Sequence, residues 1–310
     1  MIYKKLISMK YRVATPLLNL RDFPATHDNS KILIKIPFRH TVKLIEKTAS
    51  DWWKVKLFNT ETEGFVFSRD IELVDEATEK STDIEVPNFE LGARASLDSK
   101  EETYKPIGDP SIPFRDLTSL ESKLTSIRNI ITALDVSKSF RYQKDASDTY
   151  CNIYTFDYCF FAKVYIPRLR WTDKAIEQLE KGNEVAVVFD ETVRPFYSNY
   201  IYDWFLQSGN KFGWERIADV AELQEKVNAN GGVGIICAKR IILNKSGHIV
   251  VVVPETDTDK AYRKEGKVIY PLQSQAGADN YNYFSEIRAD WWSNNDPESG
   301  YASAIFYYHD

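Results

Sequence analysis

Cysteine is scarce in this chain of 310 residues, which holds only Cys151, Cys159 and Cys237. An odd number at these spacings fits neither a disulfide framework nor a zinc site, so at least one thiol is free unless chains cross-link. Histidine is nearly as rare, at four residues, and only His248 and His309 lie beyond position 40. No His-Glu-x-x-His metal motif and no Walker phosphate loop occurs, and no metal or cofactor is expected. Basic charge is not in excess either. A net charge of −5 without a basic stripe argues against a nucleic-acid partner, because phosphate binding needs a concentrated positive surface. No apolar run is long enough for a membrane span. The stretch 1–10 is charged and lacks the apolar core of a signal peptide, so export is expected to use another route or to come after removal of a leader.

What the chain does hold is apolar and aromatic. A hydrophobic fraction of 43% supports a real core, and the length suggests about two domains. Aromatics are plentiful, at 18 Tyr, 17 Phe and 7 Trp; such side chains fill cores and also line grooves for sugars and peptides.

Residues 11–74 read as a small β-barrel. Short strands are predicted over 18–21, 31–36, 41–45, 52–57 and 64–67, separated by turn residues. The pieces Leu18-Asn19-Leu20-Arg21-Asp22-Phe23-Pro24, Asp51-Trp52-Trp53-Lys54-Val55 and Gly64-Phe65-Val66 before Leu73 resemble bacterial SH3 (SH3b) domains. That resemblance implies either binding to cell-wall peptidoglycan or docking on a neighbouring domain. Trp52 and Trp53 alternate across a strand, which predicts one in the core and one at a contact surface. Residues 75–115 read as a linker with charge runs, Pro106, Pro110 and Pro113, although Phe89, Leu91, Tyr104, Ile112 and Phe114 could pin it across the second domain.

Residues 116–310 read as one α+β unit. Leu117, Leu120, Leu124, Ile127, Ile131 and Leu134 recur at helical spacing after Thr118-Ser119. Further helices are predicted from Cys151 to near Pro167, over 172–181 before Gly182, over 201–208 and over 223–229. Strands are predicted over 184–190, 234–238, 249–253 and 267–272.

Two stretches carry chemistry. Cys151 opens Cys151-Asn152-Ile153-Tyr154 at a predicted helix start, where free backbone N–H groups lower a thiol pKa and can stabilise a tetrahedral oxyanion. His248 opens the apolar strand after Ser246-Gly247. A thiol and an imidazole need closeness in space, not in sequence. Tyr150-Cys151-Asn152-Ile153-Tyr154 with Asp157, and Ser246-Gly247-His248-Ile249-Val250-Val251-Val252, resemble the papain-like peptidoglycan amidases and endopeptidases of the CHAP and NlpC kind. The Gln273-Ser274-Gln275-Ala276-Gly277 stretch adds to that likeness.

The resemblance implies a Cys151 nucleophile and a His248 base acting on amide bonds of peptidoglycan stem peptides. Some type VI secretion effectors are of this general kind. For such a protein the expected destination is the bacterial periplasm or cell wall, with a partner inhibitor (immunity) protein. In similar enzymes the group that orients the histidine comes from the next strand, which points to Gln273 or Gln275, with Glu255 and Asn282 as lesser candidates. Gln275, Asn152 and Trp171 are also candidates for touching substrate. Asn152 could equally cap the helix. Asp157 is expected to pair with Arg168 or Arg170. Trp171, Trp204, Trp214, Trp291 and Trp292 either wall a groove or sit in the core, and His309 is expected to fray. Two rival classes remain: a glycoside hydrolase using carboxylates such as Glu191 and Asp203, and a non-catalytic wall-binding or adaptor protein in which Cys151 is core.

Overall fold

A computed structural model of the protein describes residues 10–14, 17–26, 30–37, 41–48, 50–57, 61–73, 95–242, 245–286 and 289–310. The chain divides into two compact units, one of Met1–Ala93 with Pro167–Pro195, the other of Arg94–Ile166 with Phe196–Asp310.

In the first unit seven strands form one antiparallel sheet: β1 (Lys10–Val13), β2 (Leu17–Arg21), β3 (Ile32–Pro37), β4 (Thr41–Lys47), β5 (Trp52–Leu57), β6 (Glu63–Phe67) and β7 (Ile71–Leu73). Their order is β3-β2-β6-β5-β4-β1-β7. Alternate residues point inward, so Leu18 and Leu20 of β2, Val55 and Leu57 of β5 and Val66 of β6 share one core. Trp53 packs on that core beside Tyr11, with ring centroids 5.4 Å apart, and Trp52 meets the edge of Phe67 at 4.9 Å. Gly64 lets β6 approach β2: a Cβ there would lie 2.7 Å from the Arg21 carbonyl oxygen. The five expected strands are present, and β1 and β7 add to them.

The second unit begins well before residue 116. The stretch 74–94, with Phe89 and Leu91, lies outside the described residues, but 95–115 is packed rather than a free linker. Ala95 bridges to Ile107, Ile107 and Ile112 are buried, and Phe114 rests on Phe160 and Phe161. The Arg141 guanidinium donates to the carbonyls of Thr103 and Lys105 at 2.8 and 2.9 Å. The prolines there break any periodicity, so only tertiary contacts reveal that the segment is core.

Helix α1 (Leu120–Leu134) starts where Ser119 accepts a hydrogen bond from the Ser122 N–H. Helix α2 (Cys151–Phe161) is buried along almost its whole length. It stops before the predicted end near Pro167, because Lys163 is left-handed and the Val164 N–H turns back to the Cys159 carbonyl. Then β8 (Leu169–Trp171), α3 (Asp173–Glu180) and β9 (Val193–Pro195) belong to the first unit. The predicted strand over 184–190 does not form. Thr192 draws that backbone into a turn instead, accepting from the Val188 N–H and donating to the Ala186 carbonyl.

The second unit resumes with α4 (Ser198–Ser208), β10 (Glu215–Ile217), α5 (Val220–Asn230), β11 (Val233–Arg240) and β12 (His248–Val252). After a small hairpin of β13 (Tyr262–Lys264) and β14 (Lys267–Tyr270) come β15 (Gln273–Gln275), β16 (Tyr281–Phe284) and β17 (Tyr301–His309). The predicted strand over 267–272 thus serves the hairpin, while the glutamines form a separate strand of the main sheet. That antiparallel sheet has the order β10-β17-β11-β12-β15-β16.

Two-residue alternation sends Ile235, Cys237, Ile249 and Val251 to the face that packs on α1, α2 and α4. It sends Ile236, Val250 and Val252 to the face covered by α5. His309 does not fray: it ends β17, with Nε2 3.1 Å from the Phe212 carbonyl oxygen and its ring against Trp214.

Candidate active site

Helix α2 packs against β12, and this brings the first residue of each together. Cys151 comes directly after the N-cap residue Tyr150, so its sulfur sits at the helix end where backbone N–H groups lack intrahelical acceptors. Tyr150 is anchored by its hydroxyl, which donates to Asp145 at 2.6 Å. His248 pairs with Ala238 across the β11–β12 ladder. The preceding Gly247 is needed for close approach, since a Cβ there would lie 2.5 Å from the Ala238 carbonyl oxygen and 2.6 Å from Asn199 Oδ1.

Cys151 is 3% exposed, yet the neighbours of its sulfur are polar. The sulfur lies 3.3 Å from the Ser198 hydroxyl, and His248 is near enough to act on its ionisation. Burial alone pushes this thiol up; the hydrogen bond and charge of His248, then Ser198 and the Ile249 backbone, outweigh it and bring the pKa down to about 7. Cys237 shows the contrast, because burial without such partners pushes it well up. Cys159 is also buried in the core.

His248 is held from three sides. Its Nε2 is 3.1 Å from Gln275 Oε1. Trp291 meets the ring edge-on at 4.5 Å. Gly277 lies so close that a Cβ would stand 3.2 Å from His248 Cε1. An amide oxygen only accepts, so with Oε1 facing it Nε2 carries the hydrogen and Nδ1 is the ring nitrogen able to take a proton.

Of the two glutamines, then, Gln275 reaches the imidazole directly. Gln273 acts one step back: it accepts from Trp291 Nε1 at 2.9 Å and donates to the Ala289 carbonyl at 2.8 Å, fixing the indole that braces His248.

Several expected residues are engaged elsewhere. Asn152 is buried and its amide donates to the Phe196 carbonyl at 3.4 Å, tying α2 to the segment before α4. Trp171 is buried in β8 of the other compact unit. Asp157 pairs with Arg141 at 2.7 Å, both fully buried, and accepts from the Tyr142 hydroxyl. The expectation named only Arg168 and Arg170 for this carboxylate, and missed Arg141. Glu255 is bound to Arg263 and Asn228, and Asn282 donates to Asp135.

Among the expected tryptophans, Trp214 is core, Trp204 and Trp292 pack partly buried on apolar clusters, and Trp291 is the one against the histidine. For the carboxylate pair, Asp203 is neutralised by Lys239 at 2.6 Å and Glu191 is exposed in the other unit. Ser198 escaped sequence reading because it lies 47 residues from Cys151 in no motif. Trp291 was one of several equivalent candidates.

Residues 16–72 match the bacterial SH3 domain family. No curated protein matches the chain significantly. Among solved structures, NlpC2 from Trichomonas vaginalis aligns over 90% of this chain and 71% of that one, at 9% identity and a TM-score of 0.21. Among the described residues, no group of three or more His, Cys, Asp and Glu could hold a metal, and no helix is long and apolar enough to cross a membrane.

Proposed function

We propose that the second unit is a papain-like cysteine hydrolase that cuts amide bonds in peptidoglycan stem peptides. The observation that carries this reading is a thiol at the start of α2 whose pKa His248 draws down, with His248 held in turn by Gln275 at 3.1 Å. A thiol drawn down to about 7 is substantially ionised near neutrality, and the thiolate is the nucleophile. The sulfur attacks the amide carbonyl, and the first N–H groups of α2 stabilise the oxyanion. His248, having taken the thiol proton on Nδ1, returns it to the leaving amine, while Gln275 holds the ring through Nε2. Water then hydrolyses the thioester, with His248 as base.

Peptidoglycan as the substrate is supported by the bacterial SH3 match over 16–72, which we read as a wall-binding module on the same chain. Such a substrate lies outside the cytoplasm. The chemistry is the same for a lysin and for an effector delivered to a rival's periplasm with a cognate inhibitor. The test is mass spectrometry of products from purified wall, comparing wild type with Cys151→Ala. Stem-peptide fragments that vanish in the variant are the expected result. Products cut only between sugars would turn the reading toward a glycosidase, and an inert wild type toward a wall-binding adaptor.

A further inference from the structure

Ser198 is the first residue of α4 and is buried, as Cys151 is the first residue of α2. The N-terminal ends of two helices, each of 11 residues, therefore meet at one sulfur atom. Both ends carry partial positive charge. The Ser198 hydroxyl lies 3.3 Å from the Cys151 sulfur and, among the described residues, has no other hydrogen-bond partner. A buried hydroxyl left unpaired is costly, and this contact is what pairs it. A serine hydroxyl can donate or accept, but a thiolate can only accept. Ionisation of the sulfur thus sets the bond in one direction, from Oγ–H to S⁻.

We infer that Ser198 is a catalytic hydrogen-bond donor to the Cys151 thiolate, acting on the side of the sulfur served by α4 while His248 acts from β12. This rests on the nucleophile assigned under the proposed function. Burial works against charge on a sulfur this enclosed, and a donated hydrogen bond offsets that penalty. The other titratable groups facing it are Cys237 of β11 and Tyr301 of β17. Burial pushes both of them up, so neither brings charge to the site near neutrality. The Ser198 carbonyl also accepts from Cys237 at 3.5 Å, which fixes the start of α4 against β11.

The test is the pH profile of Cys151 ionisation, read by iodoacetamide alkylation and by ultraviolet thiolate absorbance, with the Cys151→Ala protein subtracted as background. Ser198→Ala and Ser198→Gly both remove the hydroxyl; Ser198→Thr keeps it. In folded hydroxyl-free variants the midpoint rises by about one pH unit, and alkylation near pH 6 slows about tenfold. Ser198→Thr stays close to wild type. Hydroxyl-free variants that titrate like wild type, or a Thr variant displaced as far as Ala, overturn the assignment to Ser198. A wild-type Cys151 that fails to ionise near neutrality overturns the nucleophile itself, so the two failures are told apart in one experiment.

Discussion

The imidazole of His248 and the amide of Gln275 are joined through Nε2 and Oε1 at 3.1 Å, between neighbouring strands β12 and β15. That contact selects the tautomer in which Nδ1 is free for the Cys151 proton. Gln275→Ala should therefore cost about a hundredfold in kcat with the fold intact, because a misplaced base loses its alignment. Steady-state kinetics on a soluble stem peptide, with circular dichroism as the folding control, checks this; full activity would remove Gln275 from the mechanism.

His248→Ala should abolish wall cleavage in a folded protein and slow alkylation of Cys151 near neutrality. The sign comes from the causes of the shift: without the imidazole, burial is the leading influence on the thiol and drives its pKa upward. In wild type, the thiolate fraction and the alkylation rate rise with pH through about 7. Unchanged cleavage in the variant would show that the base is elsewhere.

Gly277→Ala tests the bracing of the ring. The added methyl carbon would stand 3.2 Å from His248 Cε1, so the imidazole must shift by a few tenths of an ångström. Activity should fall about tenfold while the melting temperature moves only a few degrees. A variant as active as wild type would mean that the site tolerates that displacement.

The buried Arg141–Asp157 pair should matter for stability alone. Asp157→Ala strands a fully buried guanidinium and should cost about 3–5 kcal/mol in denaturant unfolding. Replacing both partners, as Arg141→Met with Asp157→Leu, should be milder than the single change, since neither charge of the pair is then left buried without the other. A double variant less stable than the single one would contradict that account.

Trp52 tests the barrel. Half-buried against Phe67, it presents the remaining part of its ring at the surface of β5. Trp52→Ala should weaken sedimentation with insoluble wall and leave hydrolysis of a small soluble peptide unchanged. Undiminished sedimentation would move wall binding to another surface.

Local chemistry was enough to set five of the seven strands of the first sheet, the helices α1, α3, α4 and α5, and the placement of Cys151 and His248 at the starts of a helix and a strand. Alternation, helical spacing and capping residues act over a few positions, so they are legible in a linear string. The two glutamines were also visible as a pair, but not their division of labour. Only the tertiary structure decided that Gln275 holds the imidazole while Gln273 holds Trp291.

The same is true of three further features. Ser198 meets the sulfur from another helix, Arg141 pairs with Asp157 inside the core, and the proline-bearing stretch 95–115 is packed. Each depends on contacts between segments that are not neighbours in the chain. Those contacts arise when the sheet and the helices on its α2 face bury their apolar surfaces together, and no local pattern encodes which distant side chain will arrive there.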